Sequence, residues 1–142
     1  MVLFVIKSYL LHQSFSEILI ICLVCFGIIM KYMFLATDDN KMQLYHLLLN
    51  AINFHENGHE VATVLECASP KILIGIADGS INLPVFDKAM GLGIIDHACK
   101  GCTAAFKATD AAEKLEVPLK GELKGHSNLL KFTETGFSII TF

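Results

Sequence analysis

The chain has 142 residues, enough for one domain with a real core and too few for two. A net charge of −3 with no basic run leaves no nucleic-acid footprint. Five cysteines, an odd count in a chain that is 54% hydrophobic, make a poor disulfide framework; a reducing compartment fits better, where Cys-x-x-Cys means redox, metal or sulfur chemistry.

The first 29 residues read as an apolar extension to a domain spanning 30–142. Ile18–Met30 is uncharged but shorter than the roughly 20 residues that cross a bilayer, and Lys31 ends it. Three readings stand. Met30 is the natural start and residues 1–29 are upstream sequence; or residues 18–30 form a membrane-associated helix; or the run is a core helix or a cleaved signal. For a signal, Lys7 would sit in the n-region, but the small-x-small cleavage site is missing. Cys22 and Cys25, inside the apolar run, read as small buried hydrophobes.

From Lys31 the pattern is regular. Lys31–Ala36 has strand length and stops at the capping cluster Thr37-Asp38-Asp39-Asn40. Met42, Leu44, Tyr45, Leu47, Leu48, Leu49, Ile52 and Phe54 recur at three and four, which is an amphipathic helix closed by Asn57-Gly58. His59–Leu65 is a second strand. Strand, helix and strand make a βαβ unit, which requires a parallel pair and a right-handed crossover. Ser69–Ala77 carries Pro70 where a helix begins and is read as helix, against an Ile-rich alternation that argues strand. Leu83–Leu92 is a short helix and Gly93–Ala98 a third strand. Thr103–Leu115 is one helix, Val117–Gly125 a loop with a short strand, Ser127–Glu134 a helix capped by Ser127, and Phe137–Phe142 a last strand. The expected fold is a three-layer α/β/α sandwich on a mostly parallel sheet of four to five strands.

In such sheets function gathers beyond the carboxyl ends of the strands. Three segments qualify: Thr37–Asn40, Glu66–Ser69 and Cys99–Cys102. Cys99 stands where a strand ends and a helix begins, which favours a thiolate, and Lys100 adds positive charge. Against this, the two cysteines can be ordinary buried residues. Asp96 and His97 are polar in a buried strand and need partners. His97 lies two residues before Cys99, so both point to one side. It either pairs with the thiolate or is a satisfied edge histidine, and the second is the more ordinary outcome. His46, His55, His59 and His126 have no ligand spacing with the cysteines and read as surface or helix-face residues.

A structural zinc site usually needs four ligands, so zinc here would have to recruit Cys67 or a second copy of the chain. A thioredoxin-like pair would come early and beside an aromatic residue. Asp38-Asp39 suits a phospho-receiver domain only if Ile72–Ala77 is a strand carrying Asp78 at its end. No Gly-rich loop follows strand one, so flavin or nucleotide binding gains no support, and no cofactor or resident metal is assigned.

Taken together, Ile94-Ile95-Asp96-His97-Ala98 running into Cys99-Lys100-Gly101-Cys102-Thr103, the segment Lys120-Gly121-Glu122-Leu123-Lys124-Gly125 before a short helix, and the final Phe137-Ser138-Ile139-Ile140-Thr141-Phe142 are similar to the DsrE family of sulfur-relay proteins. Members of the YchN type carry a similar Cys-Lys-x-Cys-Thr. The resemblance covers about four-fifths of the chain. It implies a cytoplasmic, sulfurtransferase-like persulfide carrier that forms trimers or hexamers and exchanges sulfur with donor and acceptor proteins. The persulfide would form on Cys99, with Cys102 as a resolving or helper thiol, since only some members match it. The alternative is a metal-binding or non-catalytic oligomeric protein of the same fold, with the cysteine pair as ligands or core. Two features depart from the family: many members have a glycine-containing loop where Thr37–Lys41 stands, and residues 1–29 have no counterpart. If residues 18–30 form a helix, the location becomes membrane-associated.

Overall fold

The computed structural model describes residues 29–142; Lys7, Cys22, Cys25 and nearly all of the apolar run Ile18–Met30 lie outside the described residues. β1 (Lys31–Ala36) leads through Asn40 into α1 (Lys41–Glu56). Asn40 is extended, and its side-chain oxygen accepts the N–H groups of Met42 at 2.9 Å and Gln43 at 3.2 Å. Two amides that the first helical turn cannot satisfy are thereby paired. Leu44, Leu47, Leu48, Ala51 and Ile52 form the buried stripe of α1. Gly58 takes φ +85°, which a side chain would resist, and turns the chain into β2 (Glu60–Leu65). β1 and β2 pair in parallel from Lys31↔Glu60 to Ala36↔Leu65, so the βαβ unit is as its sequence implies.

Ser69–Lys71 is a single 3₁₀ turn that runs into α2 (Ile72–Asp78), and Gly79 at φ +82° ends the helix. Pro70 starts the turn, and the Ser69 hydroxyl donates to the carbonyls of Ala36 and Glu66, both at 2.9 Å. Helix therefore prevails over the Ile-rich alternation. α3 (Pro84–Gly91) precedes β3 (Ile95–Cys99). The single helix expected over Thr103–Leu115 is instead two, α4 (Lys100–Ala105) and α5 (Thr109–Lys114). Lys107, at φ +56°, breaks the run. The break lets α4 stay on β3 and the 3₁₀ turn while α5 lies against α2. β4 (Leu119–Lys120), α6 (Leu129–Glu134) and β5 (Phe137–Thr141) follow.

The sheet has five strands, all parallel, in the order β4-β3-β2-β1-β5. On one face Phe34, Ala36, Leu65, Ile95 and Ala98 pack under α1, α2, α3 and α5 through Leu47, Leu73, Phe86 and Ala112. Met33, Leu35, Ala62 and Val64 form the other face, under Leu129, Phe132 and Phe137. Large side chains such as Phe34, Leu47 and Phe86, essentially sealed from water, each contribute about 1.5–3 kcal/mol of burial. The second face is thinner, because α6 is a single short helix. No helix among the described residues is long and apolar enough to cross a membrane.

Candidate functional site

The three expected segments do meet at the carboxyl edge of the sheet. The Glu66 N–H donates to the Ala36 carbonyl at 2.9 Å and the Ala68 N–H to Thr37 at 3.0 Å, tying the end of β2 to the end of β1. The acidic pair is spent locally. Asp39 bonds Lys71 at 2.6 Å, which holds its carboxyl below the ordinary range, and Asp38 accepts the Asp39 N–H at 2.7 Å. Asp78 ends a helix rather than a strand, where its carboxylate accepts the Ser80 N–H at 2.9 Å. A phospho-receiver site is therefore not built.

Cys99 is the last residue of β3 and also the cap of α4. Its Sγ accepts the Cys102 N–H at 3.4 Å and lies 3.0 Å from Cys102 Sγ. One turn of helix explains the spacing: a residue three positions on brings both its amide and its side chain back over the cap. Cys99 is fully buried and Cys102 half-buried. Burial pushes the Cys102 thiol up to about 12, and its hydrogen bond with Cys99 adds to this, while the Cys67 backbone N–H acts the other way. Cys102 therefore stays a thiol at neutral pH. An acid whose folded value lies above its ordinary value of 9.0 contributes stability that is complete below pH 9.0 and lost as pH rises toward about 12. Alkaline denaturation midpoints should fall over that range, and Cys102→Ser should flatten the fall.

The residue that sequence reading placed on the surface, His126, joins this pair. Its Nδ1 is 3.4 Å from Cys99 Sγ and 3.6 Å from Cys102 Sγ. The side chain remains solvent-exposed, but its inner edge faces the sulfurs. Glycines bring it there. The Gly101 N–H donates to the Gly125 carbonyl at 2.7 Å, which pins the 121–126 loop to the first turn of α4. A methyl group on residue 101 would stand 2.9 Å from that carbonyl and 3.1 Å from His126 Cε1. Gly121 is equally close, since a methyl there would lie 2.8 Å from the Gly125 oxygen. Between them, Leu123 and His126 exchange both backbone hydrogen bonds at 2.9 Å, closing a tight loop. The signal for His126 was present as three glycines in two segments, but nothing local to His126 marks it.

His97 does not pair with the thiolate. Its Nδ1 is 2.5 Å from Asp96 Oδ2 and its Nε2 is 2.9 Å from the Ser127 hydroxyl. It is the satisfied histidine, 2% exposed and stacked on Phe132. Ser127 is not the cap of α6, a position that Asn128 takes; it is buried and spends its hydroxyl on His97. Asp96, His97 and Ser127 are bonded in the order of a hydrolytic triad, but Ser127 is 3% exposed. Asp96 and His97 line a cavity of about 390 Å³ under α6. The chain of bonds acts as a strut for the His126 loop. Its carboxylate is drawn down to about 2, first by the His97 hydrogen bond and then by Lys120 at 2.7 Å, against the opposing effect of burial.

Lys100 is exposed, and among the described residues no hydrogen bond or ion pair joins it to either sulfur. Cys67, at φ +54°, presents its N–H to Cys102 and its side chain to solvent. Glu66 is the fourth member of the cluster: one atom each from Glu66, Cys99, Cys102 and His126 lies within 4.8 Å of all the others. These are the described residues able to hold a metal ion together. Comparison of the chain with family models, curated proteins and solved structures finds no match in any of the three.

Proposed function

We propose that the chain is a sulfur carrier of the DsrE type, with Cys99 as the acceptor of sulfane sulfur. The observation that supports this most is the difference in setting: Cys99 ends β3, is fully buried and caps α4 by accepting the Cys102 N–H, while Cys102 is half-buried and its thiol is pushed up by burial. A Cys99 thiolate attacks the outer sulfur of a donor persulfide, R–S–SH. The donor S–S bond breaks, the donor sulfur leaves with the electron pair, and Cys99–S–SH forms. An acceptor thiolate repeats the step in reverse, leaving Cys99 as the thiolate. Overall no electrons are gained or lost. Cys102 has two available roles. As a thiolate it would attack the inner sulfur of Cys99, forming a disulfide and expelling hydrosulfide. Kept protonated, it shields the persulfide instead, and the raised Cys102 value favours this role. Because Cys99 is fully buried, a donor reaches it only when the Cys102 side chain, 3.0 Å away, rotates aside. Donor and acceptor proteins, a trimeric or hexameric assembly and a cytoplasmic location complete the reading. They rest on the family resemblance and, for location, on the odd cysteine count.

The test is intact mass after exposing the reduced full chain, with Cys22, Cys25 and Cys67 changed to serine, to inorganic polysulfide. One added sulfur is expected, located on Cys99 by peptide mapping. Cys102→Ser should retain it and Cys99→Ser should not. Loading that survives Cys99→Ser, or none in the parent, defeats the proposal.

A further inference from the structure

We propose that Glu66, Cys99, Cys102 and His126 form a binding site for one divalent ion of the zinc class, and that an occupied site cannot load sulfur. The second half rests on the sulfur-carrier reading; the first does not. The donor set is two sulfurs, one imidazole nitrogen and one carboxylate oxygen, all within 4.8 Å. Soft thiolates with an imidazole select zinc-like ions over magnesium or calcium, which take oxygen. The edges agree with a tetrahedron. Sulfur at about 2.3 Å and nitrogen at about 2.0–2.1 Å from a common centre lie about 3.5 Å apart. The two S–N separations here are 3.4 and 3.6 Å. A zinc-bound S–S edge is about 3.8 Å, so the 3.0 Å sulfur pair has to open, which a side-chain rotation of half-buried Cys102 supplies.

The ligands come from the end of β2, the end of β3, the first turn of α4 and the loop before α6. The ion would therefore be held by tertiary structure rather than by one local knuckle. Binding displaces the remaining thiol protons to solvent. Two thiolates, a carboxylate and a neutral imidazole carry −3, which the ion reduces to −1. A cysteine whose lone pair is on the metal does not attack a persulfide, so metal and sulfane sulfur exclude one another at Cys99.

The probe is Co(II), titrated anaerobically into the reduced full chain with Cys22, Cys25 and Cys67 changed to serine. One equivalent should bind, with strong visible bands of a tetrahedral ion and a thiolate charge-transfer band. Cys99→Ser and His126→Ala should each weaken binding by about 100-fold or more, since changes outside the ligand shell alone cost about 10–100-fold. Glu66→Gln should weaken it at least about tenfold while leaving the far-ultraviolet dichroism unchanged, which separates ligand loss from unfolding. Zn(II) should block polysulfide loading, and a chelator should restore it. Absence of the tetrahedral spectrum, or His126→Ala and Glu66→Gln binding like the parent, overturns the site. If Co(II) fails to bind while metal-free protein still loads sulfur, the metal site is wrong and the carrier reading stands. If Co(II) binds and metal-free protein never loads, the carrier reading is wrong and the exclusion falls with it.

Discussion

Gly101→Ala is expected to destabilise the protein and to slow sulfur loading, although it alters neither a sulfur nor a histidine. In an isolated helix the change would stabilise by about 1 kcal/mol, because glycine is a poor helix former. Here the added methyl meets the Gly125 carbonyl at 2.9 Å and His126 Cε1 at 3.1 Å. The first is backbone, so relief requires the whole 121–126 loop to lift. Overpacking of this kind costs about 1–3 kcal/mol. Losing the 2.7 Å bond from the Gly101 N–H to Gly125 adds about 1 kcal/mol. The clash and the lost bond outweigh the helix gain, for a net loss of about 1–3 kcal/mol, read as a lower denaturant midpoint at unchanged slope. The lifted loop carries His126 away from both thiols, so loading should slow even in the folded fraction. A variant about 1 kcal/mol more stable than the parent, with unchanged loading, would show that the loop is not docked as described.

His97→Ala is expected to cost about 2–4 kcal/mol, among the larger values for one substitution. It strands the buried Ser127 hydroxyl, worth about 1–3 kcal/mol, and empties the space against Phe132. It also leaves Asp96 with Lys120 alone. The pH dependence identifies the mechanism. A carboxyl with a folded value of about 2 and an ordinary value of 3.8 contributes stability that is present above pH 3.8 and is lost as pH falls toward about 2. The His97 bond is the largest cause of that lowering, so the variant has less to lose. The stability gap between parent and variant should narrow by about 1 kcal/mol between pH 3.8 and about 2, the full shift being discounted for the partial exposure of Asp96. A gap constant with pH would assign the cost to packing alone.

The layers of this fold were legible because they are encoded locally. A three-and-four apolar spacing marks α1, a capping asparagine starts it, and β-type runs of six residues flank it. Pro70 outweighed an Ile-rich alternation at α2 because its fixed φ suits a helix start. The break between α4 and α5 was not legible, since Ala, Lys and Glu favour helix throughout and only the need to touch two neighbours interrupts it. At the site, the place of Cys99 followed from its strand. Its histidine did not. His97 and His126 compete for that role over a sequence distance that spacing rules do not cover, and a half-buried aspartate and a buried serine claim the nearer one. Glu66 was included only as part of a strand-end segment; its part in the cluster depends on β2 and β3 being neighbours.

The sheet order also governs when the chain can finish folding. β1 occupies an inner position, yet its second neighbour is β5, with Lys31 aligned to Phe137 and the Thr37 hydroxyl bonded to the Phe142 carbonyl. About a hundred residues must be made before that pairing can form, and closing so long a span is entropically late. Through synthesis of the intervening helices, β1 carries an open edge rich in Tyr, Met, Phe and Leu, a ready template for the strand of another nascent chain. β5 is thus the strand that closes the open edge of β1.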